Sequence, residues 1–194
     1  MIYLIRHGRT SQNLEKRLQG RSDLPLDETG VEQARRLGEF FRAQGVSFDR
    51  VLSSPLRRAV QTARLAAGEG LPIETDARLI EMDYGPYEGM DLRHPAPEVL
   101  TFFSDFVHNP APPGMEPLAD VTARLGALLE ELREEASERT ILLSTHAIAL
   151  KGALEYLDPA SGGAWWSRNI GNCAAFCAAA TPEGYAAAVK IEAE

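Results

Sequence analysis

The stretch Met1-Ile-Tyr-Leu-Ile-Arg6-His7-Gly8 begins as a short apolar run and ends abruptly in two basic residues and a glycine. A run of this length, rich in β-forming residues, is typical of a fully buried strand that leads into a loop. Two further runs of this kind, Val51–Ser53 and Thr140–Thr145, end directly before Ser54 and His146. Three predicted strands therefore end beside residues that can carry chemistry.

Segments with helical spacing of apolar residues separate these strands, and they include Leu118–Ala136 and Ala147–Leu157. Strands that alternate with helices predict an α/β fold with a mostly parallel sheet flanked by helices on both faces. Two late strands, Ala174–Ala179 and Tyr185–Ile191, are joined by the turn Thr181–Gly184. This short connection predicts an antiparallel strand at one edge of the sheet.

Length and charge limit the class of protein. The 194 residues suit a single domain over 1–194, and the net charge of −8 disfavours nucleic acid and anionic membranes as partners. No run approaches the roughly 20 apolar residues of a membrane span or forms a signal-peptide core. Cys173 and Cys177 are too few for a disulfide framework. We expect a cytoplasmic protein; its oligomeric state stays open, a homodimer included.

The proline-rich segment 82–117 lacks regular periodicity apart from one predicted helix, Glu98–Val107. Because loops that cover the ends of the strands usually determine which ligand binds there, we interpret this segment as an inserted lid. Its candidates for substrate contact are Tyr84, Tyr87, Arg93, Phe102 and Phe106. For the two phenylalanines, packing of the lid onto the domain is the alternative interpretation.

The strand ends carry His7 and His146 together with Arg6 and Arg57. Ligands of open α/β sheets bind beyond the carboxyl ends of the strands, so these side chains are expected to converge. A zinc site would need three or four clustered ligands, and the sequence contains neither HExxH nor paired CxxC motifs. No metal and no cofactor is therefore expected.

Covalent phosphoryl transfer fits these residue types better. A neutral imidazole is a competent nucleophile toward phosphorus, and guanidinium groups bind phosphate oxygens bidentately. The leaving oxygen also needs a proton, for which a carboxyl group is suitable. Glu81, Asp83 and Glu88 all follow a probable strand-to-loop transition, and their positions alone do not rank them.

Arg6-His7-Gly8-Arg9-Thr10, with Asn13 after it, resembles the RHG signature of the histidine phosphatase superfamily, which includes the cofactor-dependent phosphoglycerate mutases. The resemblance spans nearly the whole chain, in the family's order. Its further blocks are Gly20–Leu26, Thr29–Gly30, Ser53–Ala63, Leu79–Gly89, Ser144–His146 and Asn172–Cys173.

This resemblance implies a phosphoglycerate mutase-like fold and a role for each matching residue. His7 resembles the phosphorylated nucleophile, and Glu81 resembles the proton donor, which ranks it above Asp83 and Glu88. The phosphate pocket would consist of Arg6, Arg57 and His146. Residues that fall where relatives contact the phosphate or the substrate are Asn13, Gln19 and Gly20. Arg58 is expected as a surface charge, and Asn172 as a hydrogen-bond donor behind the site or a turn residue.

The resemblance favours a phosphatase of small-molecule phosphomonoesters over a phosphoglycerate mutase-type phosphotransferase. Mutases of the family typically carry a longer insertion with basic residues before the second histidine. Here that stretch has four basic residues, Arg93, Arg124, Arg133 and Arg139, of which the last three are expected to face solvent. A catalytically silent phosphate-binding module is the remote alternative, since silent relatives would be expected to lose the nucleophile or the acid.

Overall fold

The computed structural model describes residues 1–68 and 70–191 of the chain. Its strands are β1 (Ile2–Arg6), β2 (Arg50–Ser53), β3 (Ile73–Thr75), β4 (Ile141–Thr145), β5 (Ala175–Ala178), β6 (Ala180–Thr181), β7 (Gly184–Tyr185) and β8 (Val189–Ile191). Its α-helices are α1 (Ser11–Leu14), α2 (Glu28–Ala43), α3 (Arg57–Ala67), α4 (Pro97–Ser104), α5 (Leu118–Glu138), α6 (Ala147–Leu157) and α7 (Ala164–Ser167).

Six of the described strands form one sheet in the order β3-β2-β4-β1-β5-β8. β1 to β4 are mutually parallel, whereas β5 and β8 run antiparallel at one edge. β4 is buried along its whole length, as a parallel strand covered on both faces must be. The predicted α/β fold, with a mostly parallel sheet and an antiparallel edge, is confirmed.

Helices cover both faces of the sheet and bury two apolar clusters. Leu4 of β1 belongs to the cluster that includes Leu125 of α5, and the next residue, Ile5, belongs to the cluster that includes Phe41 of α2. Adjacent residues of a strand point to opposite faces, so β1 contributes to both clusters. The strand that leads directly to His7 is therefore packed on both of its faces.

The predicted strand Tyr185–Ile191 is divided in the structure. Tyr185 belongs to β7, which pairs with β6 as a separate two-stranded sheet, while β8 pairs with β5. The hydroxyl group of Tyr185 donates a hydrogen bond of 2.7 Å to the carbonyl of Leu129 on α5. This contact draws Tyr185 towards α5, so that the segment joins the central sheet only at Val189.

The segment 82–117 contributes to the main core instead of lying loosely over it. Val99 and Phe102 of α4 are fully buried in the same cluster as α5 and α6, and Phe106 stacks edge-on against Phe102. α4 ends at Ser104, earlier than predicted, because the carboxylate of Asp105 accepts hydrogen bonds from the amides that follow it. The aromatic residues therefore pack this segment onto the domain.

Two further observations bear on the sequence predictions. Each helix in the described ranges is too short or too polar to cross a bilayer. The thiols of Cys173 and Cys177 are both free.

Candidate active site

The carboxyl ends of the neighbouring parallel strands β1, β2 and β4 lie side by side at the same end of the sheet. The amide of His7 donates to the carbonyl of Thr145, and the amide of Ser54 donates to the carbonyl of Ser144. These backbone bonds place His7 beside His146, with 5.1 Å between the centroids of their rings. The convergence expected from the three strand ends is therefore present in the structure.

His7 is held in one tautomer. Its Nδ1 lies 2.7 Å from the carbonyl oxygen of Gly8, which can only accept, so Nδ1 carries the proton and Nε2 keeps its lone pair. The ring is buried, and burial is the main cause that lowers the pKa of His7 well below 6.5; the charges of Arg58 and Arg6 lower it further. At neutral pH His7 thus presents an unprotonated Nε2.

His146 has the opposite tautomer. Its Nδ1 accepts a hydrogen bond of 3.1 Å from Nε of Arg58, which leaves Nε2 as the protonated nitrogen that donates to Oγ of Ser54 across 2.8 Å. The side chain is fully buried, and burial followed by the charge of Arg58 lowers the pKa of His146 well below 6.5. The two imidazoles are therefore neutral neighbours with distinct hydrogen-bonding roles.

Arg58 is buried at the centre of this cluster, and its predicted place on the surface is wrong. Its guanidinium donates to the carbonyls of Gly20 and Ser22 as well as to His146. Burial lowers the pKa of Arg58 to about 10, so the group still carries its charge at neutral pH. A buried, charged guanidinium next to two histidines is well suited to bind a phosphate group.

Arg57 does not reach the cluster, whereas the sequence analysis expected it there. Its side chain is 59% exposed and pairs with Asp23, and no hydrogen bond in the described chain joins it to either histidine. The buried face of α3 carries Ala59, Thr62, Ala63 and Ala66. Arg58 lies four residues before Thr62 and shares this face, while Arg57 lies about 100° away around the helix. Helical periodicity alone would have distinguished the two arginines.

Arg6 reaches the site from the end of β1. Its guanidinium donates to the carbonyl of Ile170, while its Nε is buried without a hydrogen-bond partner among the described residues. Burial lowers the pKa of Arg6, and the nearby charge of Glu81 opposes that effect. A buried cation with an unused N–H is a ready donor for an anionic ligand.

Glu81 lies at the amino end of α6 and is 3% exposed. Its Oε1 accepts from the amides of Met82, Ile148 and Ala149 at 2.9 to 3.1 Å, while Oε2 accepts a single bond of 3.2 Å from Ile148. Glu81 therefore caps the amino end of α6 from a distant part of the sequence. Oε2 is the less engaged of the two carboxylate oxygens.

The other two candidate carboxylates have different surroundings. The side chain of Asp83 is 49% exposed and caps the turn at Gly85. Glu88 is half-buried and binds the amides of residues 20 to 22. Among the three, Glu81 is the one buried at the helix end beside His146.

Asn13 and Asn172 hold the backbone behind His7. The side-chain amide of Asn172 donates to the carbonyl of His7 at 3.1 Å and to Oδ1 of Asn13 at 3.2 Å. Asn13 also accepts from the amide of Thr10, the N-cap residue of α1. The first of the two interpretations of Asn172, a hydrogen bond to the loop behind the site, describes this arrangement.

Gln19 and Gly20 form hydrogen bonds with residues around the cluster, Gln19 with Thr10 and Gly20 with Arg58. Oε1 of Gln19 accepts from the hydroxyl of Thr10, and its Nε2 is buried without a partner in the described chain. Gly20 sits so close to Met82 that a Cβ atom would lie 2.6 Å from the carbonyl oxygen of that residue. The residues whose contacts the sequence analysis missed are Thr10, Ser54 and Thr62, the last of which accepts from the amide of Gly8.

Only part of the predicted set of substrate contacts lies near the cluster. Tyr84 is buried, and its pKa is raised well above 10, chiefly by burial and then by the charge of Glu81. Arg93 is 58% exposed and pairs with Asp91. Tyr87 donates its hydroxyl to Glu98 on the surface of α4.

Within residues 1–68 and 70–191, no three His, Cys, Asp or Glu side chains gather closely enough to hold a metal ion. The cluster is instead built from two arginines, two neutral imidazoles and a carboxyl group. The model of the histidine phosphatase superfamily (branch 1) matches residues 2–190 of the sequence. The chain belongs to the histidine phosphatase superfamily.

Relatives within this superfamily carry both phosphatase and mutase names. The uncharacterized phosphatase PhoE of Bacillus subtilis is 34% identical over 79% of this chain and 75% of its own length. The probable phosphoglycerate mutase GpmB of Yersinia pestis is 34% identical over 77% of this chain and 70% of its own length. The structure of YhfR from Bacillus stearothermophilus superposes with a TM-score of 0.85 at 29% identity, over 96% of this chain and 94% of that one.

Proposed function

We propose that this histidine phosphatase hydrolyses small-molecule phosphomonoesters through a phosphohistidine on His7, without a metal ion or another cofactor. The observation that carries the proposal is the hydrogen bond between Nδ1–H of His7 and the carbonyl of Gly8. It leaves the Nε2 lone pair on a buried, neutral imidazole whose neighbours include the charges of Arg58 and Arg6. A nucleophile beside fixed cations is what attack on an anionic phosphoryl group requires.

In the first step Nε2 of His7 attacks the phosphorus atom. A P–N bond forms and the P–O bond to the alcohol breaks. The leaving oxygen takes a proton from Oε2 of Glu81, which enters the step as the neutral acid because the bound phosphate dianion disfavours a second negative charge beside it. The phosphorylated ring keeps its proton on Nδ1, where the carbonyl of Gly8 stabilises the positive imidazolium. Arg6 and Arg58 supply the donors for the phosphoryl oxygens, so that Arg58 takes the role expected of Arg57. The Nε2–H of His146 joins them when it exchanges its hydrogen bond to Ser54 for one to the phosphoryl group.

In the second step a water molecule attacks the phosphorus atom. Its proton passes to the carboxylate of Glu81, the P–N bond breaks, and the electron pair returns to Nε2 of His7. Inorganic phosphate leaves, and both residues regain their starting protonation states.

Mutase-type phosphotransfer is the second candidate, favoured by the name of GpmB. A mutase must also hold the acid group of a phosphoglycerate, which calls for further basic side chains near the cluster. Two basic residues of the stretch before His146 have other partners. Arg93 pairs with Asp91, and Arg124, which was expected to face solvent, pairs with Glu116. These pairings favour water over a second substrate as the acceptor.

The experiment is rapid quenching with a substrate whose phosphoryl group is labelled, followed by identification of the labelled residue. We expect acid-labile, base-stable label on His7, none in His7→Ala, and normal labelling in the exposed-residue control His94→Ala. Label on His146, or turnover by His7→Ala, would exclude the mechanism. A parallel assay with 3-phosphoglycerate distinguishes the two candidates, because a mutase isomerises it faster than it releases inorganic phosphate.

A further inference from the structure

Glu88 is a carboxylate that the proposed reaction does not use, yet it makes several short contacts. Its oxygens accept the amides of Gly20, Arg21 and Ser22 at 3.0 to 3.1 Å, and they also accept the hydroxyl of Ser22. Successive amides that converge on one anion form an anion-binding concavity of the kind called a nest. Glu88 therefore fixes the conformation of residues 20 to 22, which we call the 20–22 loop.

The other side of the 20–22 loop binds Arg58. The carbonyl of Gly20 accepts from one terminal nitrogen of the guanidinium at 2.8 Å, and the carbonyl of Ser22 accepts from the other. Gly20 and Ser22 thus offer their amides to Glu88 and their carbonyls to Arg58. Hydrogen bonds in such a chain polarise one another, so each end strengthens the hold of the other.

The N–H on Nε of Arg58 donates to His146, which leaves one N–H on each terminal nitrogen for a ligand. The orientation of the guanidinium is consequently determined at three points, of which two belong to the 20–22 loop. The carboxylates that act on it are Glu81, Glu88 and Asp23, and all three oppose the effect of burial on its pKa. Glu88 is the one among these that also bonds the loop carrying the two carbonyls.

We propose that Glu88 is a positioning residue that aims Arg58 at the phosphoryl group through the 20–22 loop. The inference rests on the proposed function, because it presupposes that Arg58 binds the phosphoryl oxygens. A guanidinium binds phosphate bidentately only when its plane is correctly oriented, so a loosened loop weakens the contact without removing the charge. Glu88 itself touches no reacting atom in this scheme.

The test is a double-mutant cycle on Glu88→Gln and Arg58→Lys, with Glu98→Gln as the matched control on the surface of α4. We expect Glu88→Gln to lower kcat/KM roughly 10- to 100-fold and to raise the inhibition constant of inorganic phosphate by a similar factor. The loss should be the same for alkyl and aryl phosphates, because the proton donor is untouched. In the Arg58→Lys background, Glu88→Gln should cost less than about threefold, since lysine has no plane to orient.

Independent, multiplicative losses in the two backgrounds would overturn the role of Glu88 while leaving the proposed function intact. Full activity of Arg58→Lys would overturn the role of Glu88 together with the phosphate contact of Arg58, while the labelling of His7 tests the proposed function separately. Ser22→Ala provides a milder variant, should Glu88→Gln not fold: it removes one donor to Glu88 and should lower phosphate affinity several-fold without lowering the melting temperature in proportion. Unchanged phosphate affinity in folded Ser22→Ala would also count against the inference.

Discussion

Nε of Arg58 donates a hydrogen bond to Nδ1 of His146, and this bond links the second histidine of the site to a buried guanidinium. Because the acceptor nitrogen must be unprotonated, the bond requires a neutral His146 whose proton lies on Nε2. That proton is directed at Ser54. The pair therefore supplies one positive charge, that of Arg58, and requires a neutral imidazole at His146.

The first prediction distinguishes the two adjacent arginines. Arg58→Lys should lower kcat/KM by roughly 100-fold or more, because an ammonium group cannot bind two carbonyls, an imidazole and a phosphate in one plane. Arg57→Lys should stay within about threefold of the wild type, since its surface pair with Asp23 contributes little. Steady-state kinetics on one aryl phosphate measures both variants. Equal losses would contradict the assignment of the phosphate contact to Arg58.

The sheet and the meeting of His7 and His146 at the carboxyl ends of its strands could be predicted from the sequence, because both follow from where the apolar strands end. Arg57 was expected in the site and Arg58 on the surface, although the helical spacing of the buried residues on α3 favours Arg58. The role of Glu88 could not be predicted from the sequence, since its contacts join residues more than 65 positions apart. Loops pack according to tertiary contacts that leave no periodic signal in the sequence.

The second prediction concerns the pH dependence of the nucleophile. The pKa of His7 lies well below 6.5 because the ring is buried beside Arg58 and Arg6. The neutral form is present above that pKa and is lost as the pH falls through it. The nitrogen chemical shifts of His7 should therefore remain those of a neutral imidazole from about pH 7.5 to pH 6. A titration midpoint near the ordinary value for histidine would show that burial and the charges of Arg58 and Arg6 do not lower the pKa of His7.

The third prediction assigns the general acid. Glu81→Gln should lower kcat/KM for an alkyl phosphate by roughly 100-fold or more, but for an aryl phosphate by less than about tenfold, because a phenolate leaves without protonation. Glutamine retains one oxygen that can accept the amides at the end of α6. Asp83→Asn is the control, and its effect should not depend on the leaving group. Similar losses on both substrates in Glu81→Gln would indicate a purely structural role for that residue.

The fourth prediction concerns metal ions. The two guanidinium groups of Arg6 and Arg58 provide the positive potential that a divalent ion supplies in other phosphoryl-transfer enzymes. Activity should therefore be unchanged after prolonged dialysis against EDTA, and added Mg²⁺ or Zn²⁺ should not increase it. A metal-dependent phosphatase dialysed in parallel verifies that chelation was complete. Recovery of lost activity by one divalent ion would require a different account of charge stabilisation.

The last prediction uses Lys151 of α6, which is 9% exposed and donates a hydrogen bond of 2.7 Å to the carbonyl of Trp166. Burial is the main cause that lowers the pKa of Lys151 to about 8, against an ordinary value of 10.5. The unfolded chain therefore binds more protons than the folded one between these two values. By linkage, the contribution of Lys151 to the free energy of unfolding increases as the pH rises through this window, and it is lost as the pH falls.

Urea unfolding of the wild type and Lys151→Met between about pH 7.5 and pH 10.5 measures this contribution as a difference between two curves. The difference, wild type minus variant, should increase with pH by up to a few kcal/mol, because one pKa unit corresponds to about 1.4 kcal/mol. Groups that both proteins share, such as Cys173 with its raised pKa of about 12, cancel in the subtraction. The same comparison with Lys16→Met, on an exposed lysine, controls for the loss of a lysine as such. If the difference in the free energy of unfolding between wild type and Lys151→Met does not change with pH, the pKa of Lys151 is the same in the folded and unfolded chains. In that case the hydrogen bond to Trp166 compensates for the burial of the ammonium group.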